Sequence, residues 1–203
     1  MAQVNFMASS ESSARLPQII EAAAQCFQER GYLAATLNDI ATSVQLQKPT
    51  LYHYVKNKNE LLFLVLQGTV ETYNHALEEV SASSLNPTAK LRRAISQHIS
   101  LQLEHPGTVT LFRDVEELEK PYRNEIRLAL KRYRELLQAI VREGIAQGEF
   151  ANRDPSMTAL FILGAINFVH RWYRPHGPQS ILEIAQFYGD SLLMTLRGVD
   201  PPV

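Results

Sequence analysis

Apolar residues recur at helical spacing along nearly the whole chain, and polar or Gly/Pro breaks divide them into about nine helices. The first is predicted over roughly Ser13–Arg30, with Ile20, Ala23, Ala24 and Phe27 as its inner stripe and Gly31 as its stop. Pro17 is tolerable there because it falls in the first turn. Thr36 and Asp39 have capping-box spacing, and Leu37, Ile40, Ala41 and Val44 then follow one buried face. After a polar break at Gln45–Gln47, Lys48 opens a second short helix with Pro49 in its first turn. Leu51, Tyr54 and Val55 point inward; Lys48, Thr50 and His53 face away, with Tyr52 on the margin. Asn57 to Glu60 form another capping-box pattern and start a long helix to about Val80. Ser81 to Pro87 read as a loop. Further helices extend to about Glu104, over Thr108–Glu119 and over Pro121–Gln147, and another starts at Asp154-Pro155. Met157 to Val169 is apolar nearly all round, which in a soluble protein means burial on more than one side. Ser180 and Glu183 cap a last helix in which Ile181, Ile184, Ala185, Tyr188 and Leu192 recur at helical spacing. No alternating strand pattern occurs, so the chain reads as all-α.

Two short helices joined by a tight turn describe a helix-turn-helix, whose second helix enters the major groove of DNA. From Gln45 to Asn59 there is no acidic residue, while Lys48, Lys56 and Lys58 are present. Lysines and the hydroxyl and imidazole donors of Thr36, Thr50, Tyr52 and His53 suit phosphate oxygens, which set register on the duplex. Gln47, Lys48 and Thr50, beside Pro49, stand where the helix meets base edges, and a good bidentate contact there discriminates by roughly 1–3 kcal/mol. An amphipathic helix pair on a solvated surface has the same periodicity, so spacing alone leaves both readings open.

The residues Ile40-Ala41, Lys48-Pro49-Thr50-Leu51-Tyr52-His53-Tyr54-Val55 and Lys58-Asn59-Glu60-Leu61 resemble the signature of TetR-family regulators. Ala22-Ala23, Phe27 and Gly31-Tyr32 resemble that family's first helix and its exit. The chain departs from the pattern at Gln45, where the turn usually has Gly, at Pro49, and at Val55, where Phe is usual. The resemblance implies a three-helix DNA-binding domain over residues 13–57 and a helical ligand-binding and dimerisation domain over 58–203, with 1–12 as a disordered arm. It also implies a homodimer on near-palindromic double-stranded DNA. The last two helices, through Phe161, Gly164, Ala165, Ile181, Ile184, Ala185, Tyr188 and Leu192, are expected to pair with their copies as a four-helix bundle.

The stretches Leu111–Glu116, Tyr122–Phe150 and Phe168–Pro175 are similar to a TetR branch whose effectors are acyl-CoA thioesters. That branch implies an apolar slot, for which Phe63, Leu103, Phe112, Phe161 and Phe168 are the candidates, with Trp172 beside them. It also implies cations for the phosphates, from Arg113, Arg134, Arg171 and Arg174. Each aromatic on its own reads equally as core, and each arginine as a solvated surface group. The alternatives are a TetR-type regulator of a different apolar or aromatic ligand, as in efflux control, and a helical enzyme or ligand carrier.

Composition narrows these classes. At 203 residues with a formal net charge of −1, the chain is no polycation, so DNA affinity must come from a local patch. One cysteine excludes an intramolecular disulfide, and Cys26 on an Ala-rich face reads as core in a reducing cytoplasm. The apolar run Leu160–Val169 is too short to span a bilayer, and the first dozen residues lack the regions of a signal peptide. No histidine pair has zinc-site spacing, and no phosphate loop, nucleophile elbow or calcium loop occurs, so neither metal, cofactor nor catalytic residue is expected.

Overall fold

The computed structural model describes residues 3–104 and 111–197, with side chains described within 15–104 and 112–197. Among the described residues there are nine α-helices, one 3-10 segment and no strand. The chain divides into two compact units, Met1–Thr69 with Gly107–Arg127, and Val70–Pro106 with Leu128–Val203.

The first unit contains α1 (Gln3–Arg30), α2 (Leu37–Ser43), α3 (Lys48–Leu51), the start of α4 (Lys58–Ala82), the 3-10 segment Leu111–Glu117 and the start of α6 (Lys120–Ala146). Its core gathers Ile19, Ala23 and Phe27 of α1, Ile40 and Ala41 of α2, Leu51 of α3, Val55, and Leu61 and Leu62 of α4. Ala23 and Phe27 are buried as expected, while Ile19 and Cys26 take the inner positions expected of Ile20 and Ala24, which are half-buried. No Gly or Pro precedes Pro17 within α1, so nothing stops the helix from starting at Gln3. Pro17 therefore sits inside the helix instead of in its first turn.

The second unit contains α5 (Pro87–Glu104), α7 (Pro155–Ile166), α8 (Val169–Trp172), α9 (Ile181–Arg197) and the remainders of α4 and α6. Leu91, Ile95 and Ile99 of α5 lie at the centre of its core, with Leu137, Ile140 and Val141 of α6, Ile162 of α7 and Leu193 of α9. Helix α9 packs along α5, and Lys90 of α5 makes a largely buried ion pair with Glu143 of α6 at 2.9 Å.

Three expectations change. The helix foreseen over Thr108–Glu119 is a 3-10 segment at Leu111–Glu117, and its first residues lie outside the described ones. The apolar run Met157–Val169 is broken after Ile166, where buried Gln102 donates to the Asn167 carbonyl at 3.1 Å and accepts from the His170 amide at 3.2 Å. Last, Ile184, Ala185 and Leu192 are buried in the unit's own core, so they are not free to face a partner. On the side of helix α9 away from these residues lie Phe187 and Met194, seven residues apart and exposed, and Leu182 in the first turn is exposed as well.

Candidate nucleic-acid interface and an interior polar cluster

The first helix of the helix-turn-helix is capped at both ends. Thr36 and Asp39 complete the capping box of α2: the Thr36 amide and hydroxyl donate to Asp39 Oδ2 at 3.0 and 2.6 Å, and the Asp39 amide donates to Thr36 Oγ1 at 3.2 Å. These bonds, first those from Thr36 and then the Arg30 guanidinium 3.1 Å away, hold the Asp39 carboxyl below its ordinary pKa. At the other end of α2, Gln45 turns the chain with φ 58°, among the described residues the only positive φ outside glycine. The Leu46 amide then donates to Ala41 and the Gln45 amide to Thr42, which is a Schellman stop. Arg15 adds a bond from its guanidinium to the Val44 carbonyl at 2.7 Å.

Helix α3 follows, one turn long, with its apolar side anchored by fully buried Leu51 and by Val55. This leaves Gln47, Lys48, Pro49, Tyr52 and His53 exposed and Thr50 half-buried on the outer side; Tyr52 is 49% exposed. A surface of amide, ammonium, hydroxyl and imidazole donors with no carboxylate between Gln45 and Asn59 can donate to phosphates and base edges.

Two expected contacts are used elsewhere. All three Nζ hydrogens of Lys58 have acceptors within the unit, the carbonyls of Tyr32, Leu33 and Ala35 at 2.8, 3.2 and 3.0 Å, and the ammonium lies 4.5 Å from the centre of the Tyr32 ring. Lys58 therefore caps the exit of α1 and has no hydrogen left for a phosphate. The Thr36 hydroxyl is likewise committed to its cap, so Thr36 orients α2 without needing to touch DNA. Both side chains sit at helix boundaries, where orphan carbonyls and amides compete for them.

The residues expected to form the effector slot are divided between the two units. Phe63, stacked on Tyr122 at 4.5 Å, half-buried Phe112 and exposed Arg113, 3.7 Å from Asp114, belong to the first unit. Leu103 is core of the second unit and Arg134 is half-buried there. Phe161, Phe168, Arg171, Trp172 and Arg174 are exposed, which corrects the interior placement; α7 turns Phe161 outward when Ile162 turns in. A cleft in the second unit is lined by other residues, among them Tyr73, Leu77, Ala94, Gln97, His98 and Tyr133. His98 Nδ1 lies 2.9 Å from Tyr133 Oη, and Tyr73 packs edge-on to both rings. Burial holds His98 neutral, its pKa lowered to about 4, and raises those of Tyr73 and Tyr133. Nothing in the resemblance pointed to these side chains. Their signal was a polar residue on an inner helical stripe, as His98 and Gln102 stand beside Ile95 and Ile99.

Among the described residues no three His, Cys, Asp or Glu side chains are grouped to hold a metal, and no helix is long and apolar enough to cross a membrane.

Comparison with known proteins matches this architecture at both ends. Residues 19–65 match the family of bacterial regulatory proteins described as tetR, and residues 84–196 match the tetracyclin repressor-like C-terminal domain. The chain is 26% identical over 190 residues to the HTH-type transcriptional repressor KstR2 of Mycobacterium tuberculosis (strain ATCC 25618 / H37Rv), covering 92% of this chain and 94% of that protein. The solved structure of PfmR, a TetR family transcriptional regulator from Thermus thermophilus, is 31% identical with a TM-score of 0.81, over 87% of this chain and 97% of that one. AibR, solved in complex with isovaleryl coenzyme A and operator DNA, is alike in fold, with a TM-score of 0.79 at 24% identity over 93% of this chain and 100% of that one.

Proposed function

This chain belongs to the TetR family of bacterial regulatory proteins, and from that premise we propose that it is a homodimeric repressor of a near-palindromic operator, released by an acyl-CoA thioester. Membership makes it a ligand-responsive DNA-binding regulator and not an enzyme. In the proposed division, residues 13–57 read DNA and residues 58–203 bind effector and partner.

The observation that carries the reading is the acid-free face of α3. Gln47, Lys48, Pro49, Thr50, Tyr52 and His53 line the outside of an element whose other side is locked by Leu51. In a two-fold dimer the two α3 helices engage half-sites about one DNA turn apart, roughly 34–36 Å. The exposed apolar side chains of α7 (Met157, Leu160, Phe161) and the exposed Phe187 and Met194 on one side of α9 supply the pairing surface, because an apolar surface of this size is costly to leave in water. Gly164 and half-buried Ala165 lie along the same helix, where small side chains admit a close neighbour.

For the effector, KstR2 of Mycobacterium tuberculosis is a ketosteroid transcriptional regulator, and the AibR complex holds isovaleryl coenzyme A within the same fold. Exposed Arg174 donates to the Tyr173 carbonyl at 3.3 Å and exposed Arg171 lies 5.8 Å from the centre of the Phe168 ring, and the remaining N–H groups of both guanidiniums suit phosphate oxygens. The effector lowers operator affinity by binding more tightly to the form that fits DNA poorly.

Fluorescence anisotropy with the DNA upstream of the gene tests the assignment. Lys48→Ala with Tyr52→Ala should weaken binding at least about tenfold, and Lys48→Ala alone should lower the slope of log affinity against log salt by about 1. Undiminished binding by the double variant would remove α3 as the reading element. Acyl-CoAs of graded chain length, titrated into the preformed complex, test the effector; if all leave anisotropy and melting temperature unchanged, the acyl-CoA assignment fails and the repressor reading stands.

A further inference from the structure

The interior cluster of the second unit contains an unresolved hydrogen-bonding demand. His98 and Tyr133 satisfy one another across 2.9 Å. Tyr73 Oη and Gln97 Oε1, on residues lining the same cleft, are sealed from solvent and find no partner. The space among the lining side chains does not admit even a water. A buried hydroxyl or carbonyl left unmet is destabilising, and a binding group of the right chemistry would remove that penalty.

The chemistry of that group follows from the lining. It contains no Lys, Arg, Asp or Glu, and its one histidine is buried and already bonded to Tyr133. A carboxylate or phosphate would meet no counter-charge there and would face the Gln97 carboxamide oxygen. A plain methylene chain would leave both polar atoms unmet. A hydroxyl has both complements in one group, an oxygen that accepts from an O–H such as that of Tyr73 and a hydrogen to donate to an oxygen such as Gln97 Oε1. Rotation of the Gln97 amide does not spoil the match, since a hydroxyl also accepts from N–H.

We propose that Tyr73 and Gln97 form a subsite for an uncharged hydroxyl group carried by an otherwise apolar effector. The inference rests on the ligand-responsive reading above and narrows it, from apolar thioesters in general to hydroxylated ones. Entry of the hydroxyl parts Tyr73 of α4 from Gln97 of α5, so recognition and helix displacement are one event.

The test uses the full-length dimer on its operator and matched ligand pairs that differ by one hydroxyl: 3-hydroxyacyl-CoAs against acyl-CoAs of equal length, and 4-hydroxybenzoyl-CoA against benzoyl-CoA. In at least one pair the hydroxylated member should release operator at about tenfold lower concentration. Tyr73→Phe with Gln97→Leu should bring that pair within about twofold while the unsubstituted member acts at least as well as before. Tyr73→Phe alone should leave the melting temperature unchanged or raised, because it deletes an unmet hydroxyl. Equal release by both members of every pair overturns this inference and leaves the acyl-CoA assignment intact; release by no member of any pair overturns this inference together with the acyl-CoA assignment. A preference that survives the double variant, or a marked loss of melting temperature in Tyr73→Phe, also overturns the subsite.

Discussion

Gln45 carries the turn between α2 and α3 on a left-handed backbone that an L side chain adopts at a cost of about 1 kcal/mol. Gln45→Gly relieves that strain, partly offset by the wider freedom of glycine in the unfolded chain, so urea denaturation should show a gain of up to about 1 kcal/mol. Gln45→Val, with a branched Cβ in the same conformation, should lose at least as much; equal stability of the two would show that the turn stores no strain. Lys58 poses a different question, since its ammonium has three carbonyl acceptors inside the first unit. Lys58→Met should lower stability by about 1–3 kcal/mol and leave the salt slope of operator binding untouched. A slope lower by about 1 with unchanged stability would return Lys58 to the phosphate contacts.

At the scale of elements, periodicity located the helices better than it assigned their faces. Helix α9 has two apolar rows, and its sequence does not say which belongs to the subunit's own core. Packing along α5 took Ile184, Ala185 and Leu192, and the row with Phe187 and Met194 was left outside. The interior of α6 shows a constraint that periodicity cannot carry at all. Phe150 folds back from the following turn so closely that a Cβ on Gly144 would overlap its ring. Gly144→Ala should therefore cost about 1–3 kcal/mol, although alanine is the better helix former. Thermal melts should show Gly144→Ala partly rescued by Phe150→Leu; a stabilised Gly144→Ala would mean that the ring moves aside freely.

For the whole molecule, a formal net charge of −1 means that no general field holds it on DNA. Two copies of a small acid-free face must act together, so operator affinity depends on assembly. Phe187→Glu places a charge on an exposed row, where Phe187 is 69% and Met194 72% accessible in the single chain. Light scattering should report a monomer, with operator binding lost and helical content retained. A dimer that persists in Phe187→Glu would mean that this row of α9 is not the pairing surface.

The helix-turn-helix was legible in the sequence because its signals are local. Caps at Thr36 and Asn57, the Pro49 start and the spacing of Leu51 and Val55 act within a few residues of one another, and the structure realises each of them. The all-helical class followed from periodicity on the same short scale. What the tertiary structure alone decided was competition between groups far apart in the chain. Lys58 was drawn to carbonyls more than 20 residues away, one row of α9 was taken by α5, and Tyr73, Gln97, His98 and Tyr133 were assembled from three helices. A side chain with several favourable environments goes where the summed burial and hydrogen bonding are best, and that sum exists only once the helices have packed.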